Sequence, residues 1–269
     1  MSPKFVNKCI LSFPDYFSFE QQQQLQQVVE LSGMSVLRME KESLCIGHYI
    51  NNEVLYDERL YEWKFKNTLV FNLTDNNLIV SVIEFVDDLP HLIGYQVSNR
   101  ISNDKLVKSI IAHLEKEIFQ SYGVDLLNGS NEKFWQKDYN YLYEEINSIL
   151  ISFSQADSMD IELPSTCIRL IRKVCKNRGE DPIEYISLSY GSILSILHSF
   201  LDGILSVINN CLNSCHVQSD SIFYVFPVGR LSQIAFIQNY LKRVFGDQRI
   251  FQRHSSITSI ISGLGRLLL

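Results

Sequence analysis

Three apolar runs in quick succession constrain this chain more than anything else in it: Thr68–Leu73, Leu78–Phe85 and Leu92–Val97. Turn-forming residues separate them, Asp75 and Asn76 in the first gap and Asp87, Asp88 and Pro90 in the second. Short apolar runs joined in this way predict an antiparallel meander. Directly afterwards Leu106, Ile110, Leu114 and Ile118 recur at every fourth residue, the spacing of a helix with one buried face.

The rest of the chain continues the mixture. The run Cys9–Phe13 stops at Pro14, as a buried strand does. Ser18 followed three residues later by Gln21 has the pattern of a helix cap and capping box. Leu25, Val28 and Val29 mark the inner face of that helix, Gly33 its stop, and the glutamines from Gln21 to Gln27 its wet face. Ser35–Met39 reads as a second strand and Leu44–Ile50 as the start of another helix. Residues 51–66 are polar and charged and read as a connection between two lobes. Further on come a helix holding Tyr139, Leu142, Ile146 and Leu150, an edge strand Ser158–Leu163, and helices over 166–177 and 190–212. A buried strand Ile222–Phe226, a helix carrying Ile234, Ile237, Leu241 and Val244, and a last helix over 256–268 complete the order. Strands interspersed with helices make this an α/β protein.

Charge narrows the function. A net charge of −6 argues against nucleic acid as a direct partner, because phosphate binding needs a basic face. The densest basic cluster, Arg169, Arg172, Lys173, Lys176 and Arg178, has the spacing of a solvated helix face. The first residues lack a signal-peptide core, and no window reaches the roughly 18 uninterrupted apolar residues of a membrane span. The expectation is a cytoplasmic protein with no membrane partner. Six cysteines form no Cys-x-x-Cys pair and read as reduced, buried thiols. Cys211, Cys215 and His216 lie close together, but no second ligand pair follows at zinc spacing, so no metal is expected there.

Three segments carry a resemblance. Near the start, Phe13-Pro14-Asp15-Tyr16-Phe17, Ser32-Gly33-Met34-Ser35-Val36-Leu37-Arg38 and Lys41-Glu42-Ser43 follow a pattern of V-P-x-Y-F, A-G-L-x-V-L-R and N-E-P. In the middle, TLVFNLTDNNLIVSVIEF fits a strand, phosphate turn and strand that read L-x-F-D-L-G-G-G-T-x-D-V-S-I. Near the end, IFYVFPVGRLSQIAFIQNYLKRVFGDQRIF fits a strand, a Gly-Gly-Ser-x-Arg-Ile-Pro loop and a helix. In this order and spacing the chain resembles the ATPase domain of the DnaK-type heat-shock chaperone family, closest in style to its atypical ribosome-associated branch. The resemblance implies an actin-like (ribonuclease H-like) ATPase fold, with a partial first lobe and a complete second lobe. It divides the chain into a first-lobe remnant (1–57), a second-lobe sheet and helix (58–115), an upper subdomain (116–189), a second-lobe core with the adenosine loop (190–250) and a closing helix (251–269). Nothing corresponds to the first half of the first lobe, which leaves the sheet edge near Cys9–Phe13 uncovered and predicts poor solubility alone or a partner that caps it.

The same resemblance implies ATP or ADP with magnesium as the ligand, and it marks the departures. Glycine-rich turns hold phosphate through backbone N–H groups, which needs positive φ and bare backbone. Here Asn72-Leu73-Thr74-Asp75-Asn76-Asn77 stands in place of Asp-Leu-Gly-Gly-Gly-Thr. Asn72 takes the place of a carboxylate, Thr74 and Asn77 lie in the turn, Ile79 replaces a later aspartate, and Asp75 brings a negative charge. On the adenosine side Glu144 and Gly229 are kept, while Gln233 stands at the adenine-stacking arginine, Arg230 at the second glycine and Leu231 at the serine. Asn147, Ser148 and Ile151 replace the lysine, arginine and serine of the nucleoside-binding helix, and Ser102-Asn103-Asp104-Lys105 answers a Gly-Gly-Glu-Asp stretch. In the last helix Ile257 takes an acidic position and Gly263 keeps its glycine; Glu42 stands at the acidic position of the N-E-P hinge, with Ser43 for its proline.

The expectation that follows is a pseudo-ATPase: a chaperone fold kept as an interaction or regulatory module, with no catalytic residues. Its partner would be a co-chaperone, a chaperone or a ribosome-associated factor. The alternatives are a nucleotide-binding chaperone with ATP-dependent activity, and an inactive fragment or isoform of a longer chaperone-like protein.

Overall fold

The computed structural model describes residues 7–56, 67–127, 132–152, 158–229, 234–251 and 258–267. At its centre is the meander. Strands β3 (Asn67–Leu73), β4 (Leu78–Val86) and β5 (Leu89–Ser98) pair antiparallel in sequence order, and β8 (Ile222–Val228) adds parallel to the far side of β3. A single parallel bridge from Val225 to Ile250 begins a fifth position. Asp87 and Asp88 close the β4–β5 hairpin, both at positive φ (49° and 64°), the geometry a tight two-residue hairpin demands.

Alternation along the strands sends side chains to two separate cores. Leu69, Phe71 and Leu73 with Val80 and Val82 face helices α3 (Asn103–Tyr122) and α6 (Tyr190–Ser214). Val70, Ile83, Phe85, Phe226 and Val228 face the other way, onto Ile46, Tyr49 and Ile50 of α2 (Glu42–Tyr56). Each fully buried Leu, Ile or Phe contributes roughly 1.5–3 kcal/mol, so this double-sided sheet is the main stabilising body.

Before it in sequence lies a small parallel pair, β1 (Lys8–Phe13) with β2 (Ser35–Lys41), joined by α1 (Phe19–Leu31). Ser18 caps α1 and the capping box forms: Gln21 N–H donates to Ser18 Oγ at 3.3 Å, and Ser18 N–H to Gln21 Oε1 at 2.9 Å. The apolar face is another matter. No residue of α1 is buried, and Val28, expected inside, is 65% exposed, because a two-stranded sheet is too narrow to cover the helix. Among the described residues β1 pairs only with β2, so its other edge is open.

Beyond α3, the upper region contains α4 (Glu132–Ser152), β6 (Ser158–Glu162), α5 (Ser165–Arg178) and β7 (Tyr185–Ser189), with β6 and β7 antiparallel. The sequence did not predict β7; its five residues offer Ile186 and Leu188 as the only alternation. α7 (Ala235–Phe245) and α8 (Ser259–Arg266) close the chain. α2 packs on the second-lobe sheet and on α8 and also touches β1 and β2, and it runs into the stretch expected to be a polar connection as far as Tyr56. α6 is long and apolar enough to cross a membrane by length and composition alone; here Ile193, Leu197, Ile204 and Ile208 lie in the core.

Candidate functional site

The turn between β3 and β4 sits where the sheet's central hairpin meets the start of α3. Thr74 organises it. Its hydroxyl accepts the backbone N–H groups of Asn76 (3.2 Å) and Asn77 (3.1 Å) and donates toward Asn77, whose carbonyl and side-chain oxygens both lie 3.0 Å away. The Thr74 N–H closes the turn on the Asn77 carbonyl at 2.8 Å, and the Asn77 amide reaches the Tyr16 hydroxyl at 3.2 Å. None of residues 74–77 takes positive φ. The chain thus makes a turn without glycine by bonding it internally: the N–H groups of Thr74, Asn76 and Asn77 all point to acceptors within the turn.

The first turn of α3 is tied to the same place. Asn103 N–H donates to the Thr74 carbonyl (3.2 Å) and Asp104 N–H to the Asp75 carbonyl (3.1 Å). Helix N-termini are ready-made anion sites because their first N–H groups lack partners. In this helix two of them are already bonded to the turn. The Asn103 amide donates to Asn147 Oδ1 at 2.6 Å and leans on the Asp75 carboxylate at 3.4 Å. Asn103 and Asn147 are both buried, so α3, α4 and the turn are joined by a polar contact with little access for solvent.

On the other side of the turn lies a second group. Asn72, buried at the end of β3, donates its amide to Glu42 Oε2 at 3.3 Å. Gly229, at φ +82°, runs against it: a Cβ there would lie 3.0 Å from the Leu73 carbonyl and 3.4 Å from Asn72 Oδ1. Glycine is needed here for both reasons. Beneath Glu42, Asp15 is buried and fully engaged. Its carboxylate accepts from Ser43 Oγ (2.7 Å), Ser43 N–H (3.3 Å) and Ser81 Oγ (2.6 Å). Burial pushes the Asp15 carboxyl up against the opposing effect of these hydrogen bonds. Burial, with the nearby Asp15 charge, carries Glu42 from 4.5 to about 7.

The structure therefore gathers Glu42, Asn72, Thr74, Asn77 and Gly229 around the β3–β4 turn. It does not bring in Glu144, which is exposed on α4. Gly263 sits at the crossing of α8 on α2, where an added Cβ would meet the backbone carbonyl of Cys45. Gln233, Arg230, Leu231 and Ile257 lie outside the described residues. Among the described residues no cluster of His, Cys, Asp and Glu could hold a metal ion, and Cys211 instead donates its thiol to the Val80 carbonyl. Sequence patterns did not mark Asp15, Ser43 and Ser81 as a unit; the one available signal was a carboxylate just past the end of an apolar run, a run expected to be buried that in fact buries only Phe13.

Residues 2–253 match the family described as Hsp70 protein. The chain belongs to the Hsp70 family. Its fold is the actin-like ATPase fold of that family's ATPase domain, with a sheet order of β5-β4-β3-β8 in the second lobe. Among similar proteins, heat shock 70-related protein 5 of Dictyostelium discoideum is 21% identical over 96% of this chain and 47% of its own length. Chaperone protein DnaK of Thermosipho melanesiensis is 21% identical over 90% of this chain and 37% of its own length. Chaperone protein dnaK of Cyanidium caldarium is 22% identical over 88% of this chain and 35% of its own length. The chain spans less than half the length of these Hsp70 relatives. Hsp70 proteins in general bind ATP or ADP with magnesium and interact with client proteins and co-chaperones.

Proposed function

We propose that this chain is an Hsp70-fold pseudo-ATPase that acts as an interaction or regulatory module in protein folding. The observation that carries the reading is the internally bonded turn at Thr74–Asn77. Phosphoryl transfer is catalysed chiefly by donors and cations aimed at the phosphate oxygens. A turn whose Thr74, Asn76 and Asn77 N–H groups serve Asn77 O and Thr74 Oγ1, and a helix start whose Asn103 and Asp104 N–H groups serve Thr74 and Asp75, have those donors turned inward. A magnesium ion wants anionic oxygen. At the end of β3 the oxygens come from an amide, Asn72, and a carboxyl, Glu42, whose affinity for a proton is raised to about 7, and the turn adds only the Asp75 carboxylate beside the Asn103 amide. Neither set of residues fits a nucleotide triphosphate with its metal, and no hydrolytic step is derived through them. What remains is the second-lobe scaffold, and a scaffold without its ligand chemistry is suited to contact with other proteins.

Calorimetric and thermal-shift titration of the purified chain with magnesium-ATP and magnesium-ADP tests this. An intact micromolar site saturated at roughly 1 mM nucleotide would stabilise the fold by about 4 kcal/mol, a large rise in Tm. The expected outcome is no saturable heat and no shift in Tm. Saturable stabilisation by either nucleotide would overturn the reading.

A further inference from the structure

α3 has a second exposed flank. While Asn103 faces α4, Lys105 and Ser109 face α6, and between the two helices runs a groove of about 350 Å³. Its floor is apolar, with Leu106 and Phe200 buried in the main core beneath it. Its rim is cationic and hydroxylic. Arg100 approaches from the β5–α3 loop and Lys105 from the first turn of α3; across from them Ser195 and Ser199 stand one turn apart on α6. The loop is fixed close to α6, because a Cβ at Gly203 would meet the side chain of Ile101.

The charge of this groove is opposite to that of the molecule. The chain carries a net −6, yet among the described residues no carboxylate lines the groove. Among the described residues neither Arg100 nor Lys105 has an ion-pair partner. The Asp104 carboxylate, next to Lys105 on α3, is engaged elsewhere, paired with Lys108 at 2.8 Å. Two free cations beside hydroxyl donors, over an apolar floor, are complementary to a carboxylate-rich segment that also carries an aliphatic side chain.

We propose that the groove between α3 and α6 docks an acidic peptide segment of a protein partner. This rests on the reading of the chain as an interaction module and names the surface it uses. Binding is steered by the two cations, so it weakens as salt rises.

The test uses the full chain and a fluorescein-labelled peptide in which glutamates flank a pair of leucines, read by fluorescence anisotropy. Wild type binds saturably, and the matched lysine peptide does not. The double variant Arg100→Glu, Lys105→Glu loses at least about tenfold in affinity, and Ser199→Trp, which fills the groove, loses a similar factor. All three changes are at exposed positions, and an unchanged Tm shows that the fold is kept. Binding that survives charge reversal overturns the proposal, as does equal displacement by inorganic phosphate, which would make this a small-anion site. Nucleotide titration fails or succeeds independently: saturable ATP binding would sink the pseudo-ATPase reading and leave the groove result standing.

Discussion

At Glu42 the fold changes the chemistry of a single side chain. Burial and the Asp15 charge raise its carboxyl from 4.5 to about 7, so the native state holds this proton more tightly than the unfolded chain. Stability from this group is therefore fully present below about pH 4.5 and is lost as pH rises through about 7, by an amount on the order of 1–3 kcal/mol. Asp15, also raised, acts with the same sign; His48, lowered chiefly by burial, acts with the opposite one. Glu42→Gln isolates the Glu42 share. Urea unfolding at pH 5 and pH 8 should show wild type losing more stability than the variant between the two, and parallel profiles would contradict the assignment. Motif spacing could mark Glu42 and Asn72 as belonging to one site. It could not show that Asp15 binds Ser43 and Ser81, because those partners lie 28 and 66 residues along the chain.

Elements meet most closely where α8 crosses α2. Gly263 lies against the backbone of Cys45, and on the opposite flank Gly47 lies against Pro90, so α2 is held between helix and sheet through two glycines. Backbone cannot yield as a flexible side chain can. Gly263→Ala should therefore destabilise the protein by about 1–3 kcal/mol. Gly265→Ala, two residues on and with open space around it, should be neutral or slightly stabilising, since alanine is the better helix former. Denaturant midpoints of the two variants check this, and equal midpoints would mean that α8 does not rest on α2. At this scale the periodic helices were legible, α3 above all, where Leu106, Ile110, Leu114 and Ile118 are all buried. β7 and the far end of α2 were not. A five-residue strand gives too few alternations, and the polar Asn51, Asn52 and Glu53 interrupt the apolar period of α2 before its end at Tyr56.

For the whole molecule, stability is concentrated in one body. Six of the seven residues of β3 are buried, whereas β1 buries only Phe13 and α1 buries nothing. Phe19, Val28, Leu31 and Leu37 leave apolar surface on the small unit, beside the edge of β1 that is unpaired among the described residues. Local opening follows the amount of buried surface that holds a segment. Native-state hydrogen exchange should accordingly find the amides of β1, α1 and β2 exchanging through local opening well before those of β3 and β4. Protection at the global limit throughout would show the two parts to be one cooperative unit. The four hydrogen bonds that Asp15 and Glu42 accept from Ser43, Ser81 and Asn72 lie at the junction of these parts.

Residue order alone dictates the meander, the amphipathic helices, the succession of three motifs shared with the Hsp70 family, and the absence of glycine from the β3–β4 turn. These are properties of neighbouring residues: periodicity, turn chemistry and residue identity act over a few positions. Where the freed donors went was settled by the folded arrangement. Whether an N–H is open to a ligand or bonded to Thr74, and whether a carboxyl keeps its ordinary proton affinity, depends on atoms brought together from distant parts of the chain and on the water they exclude.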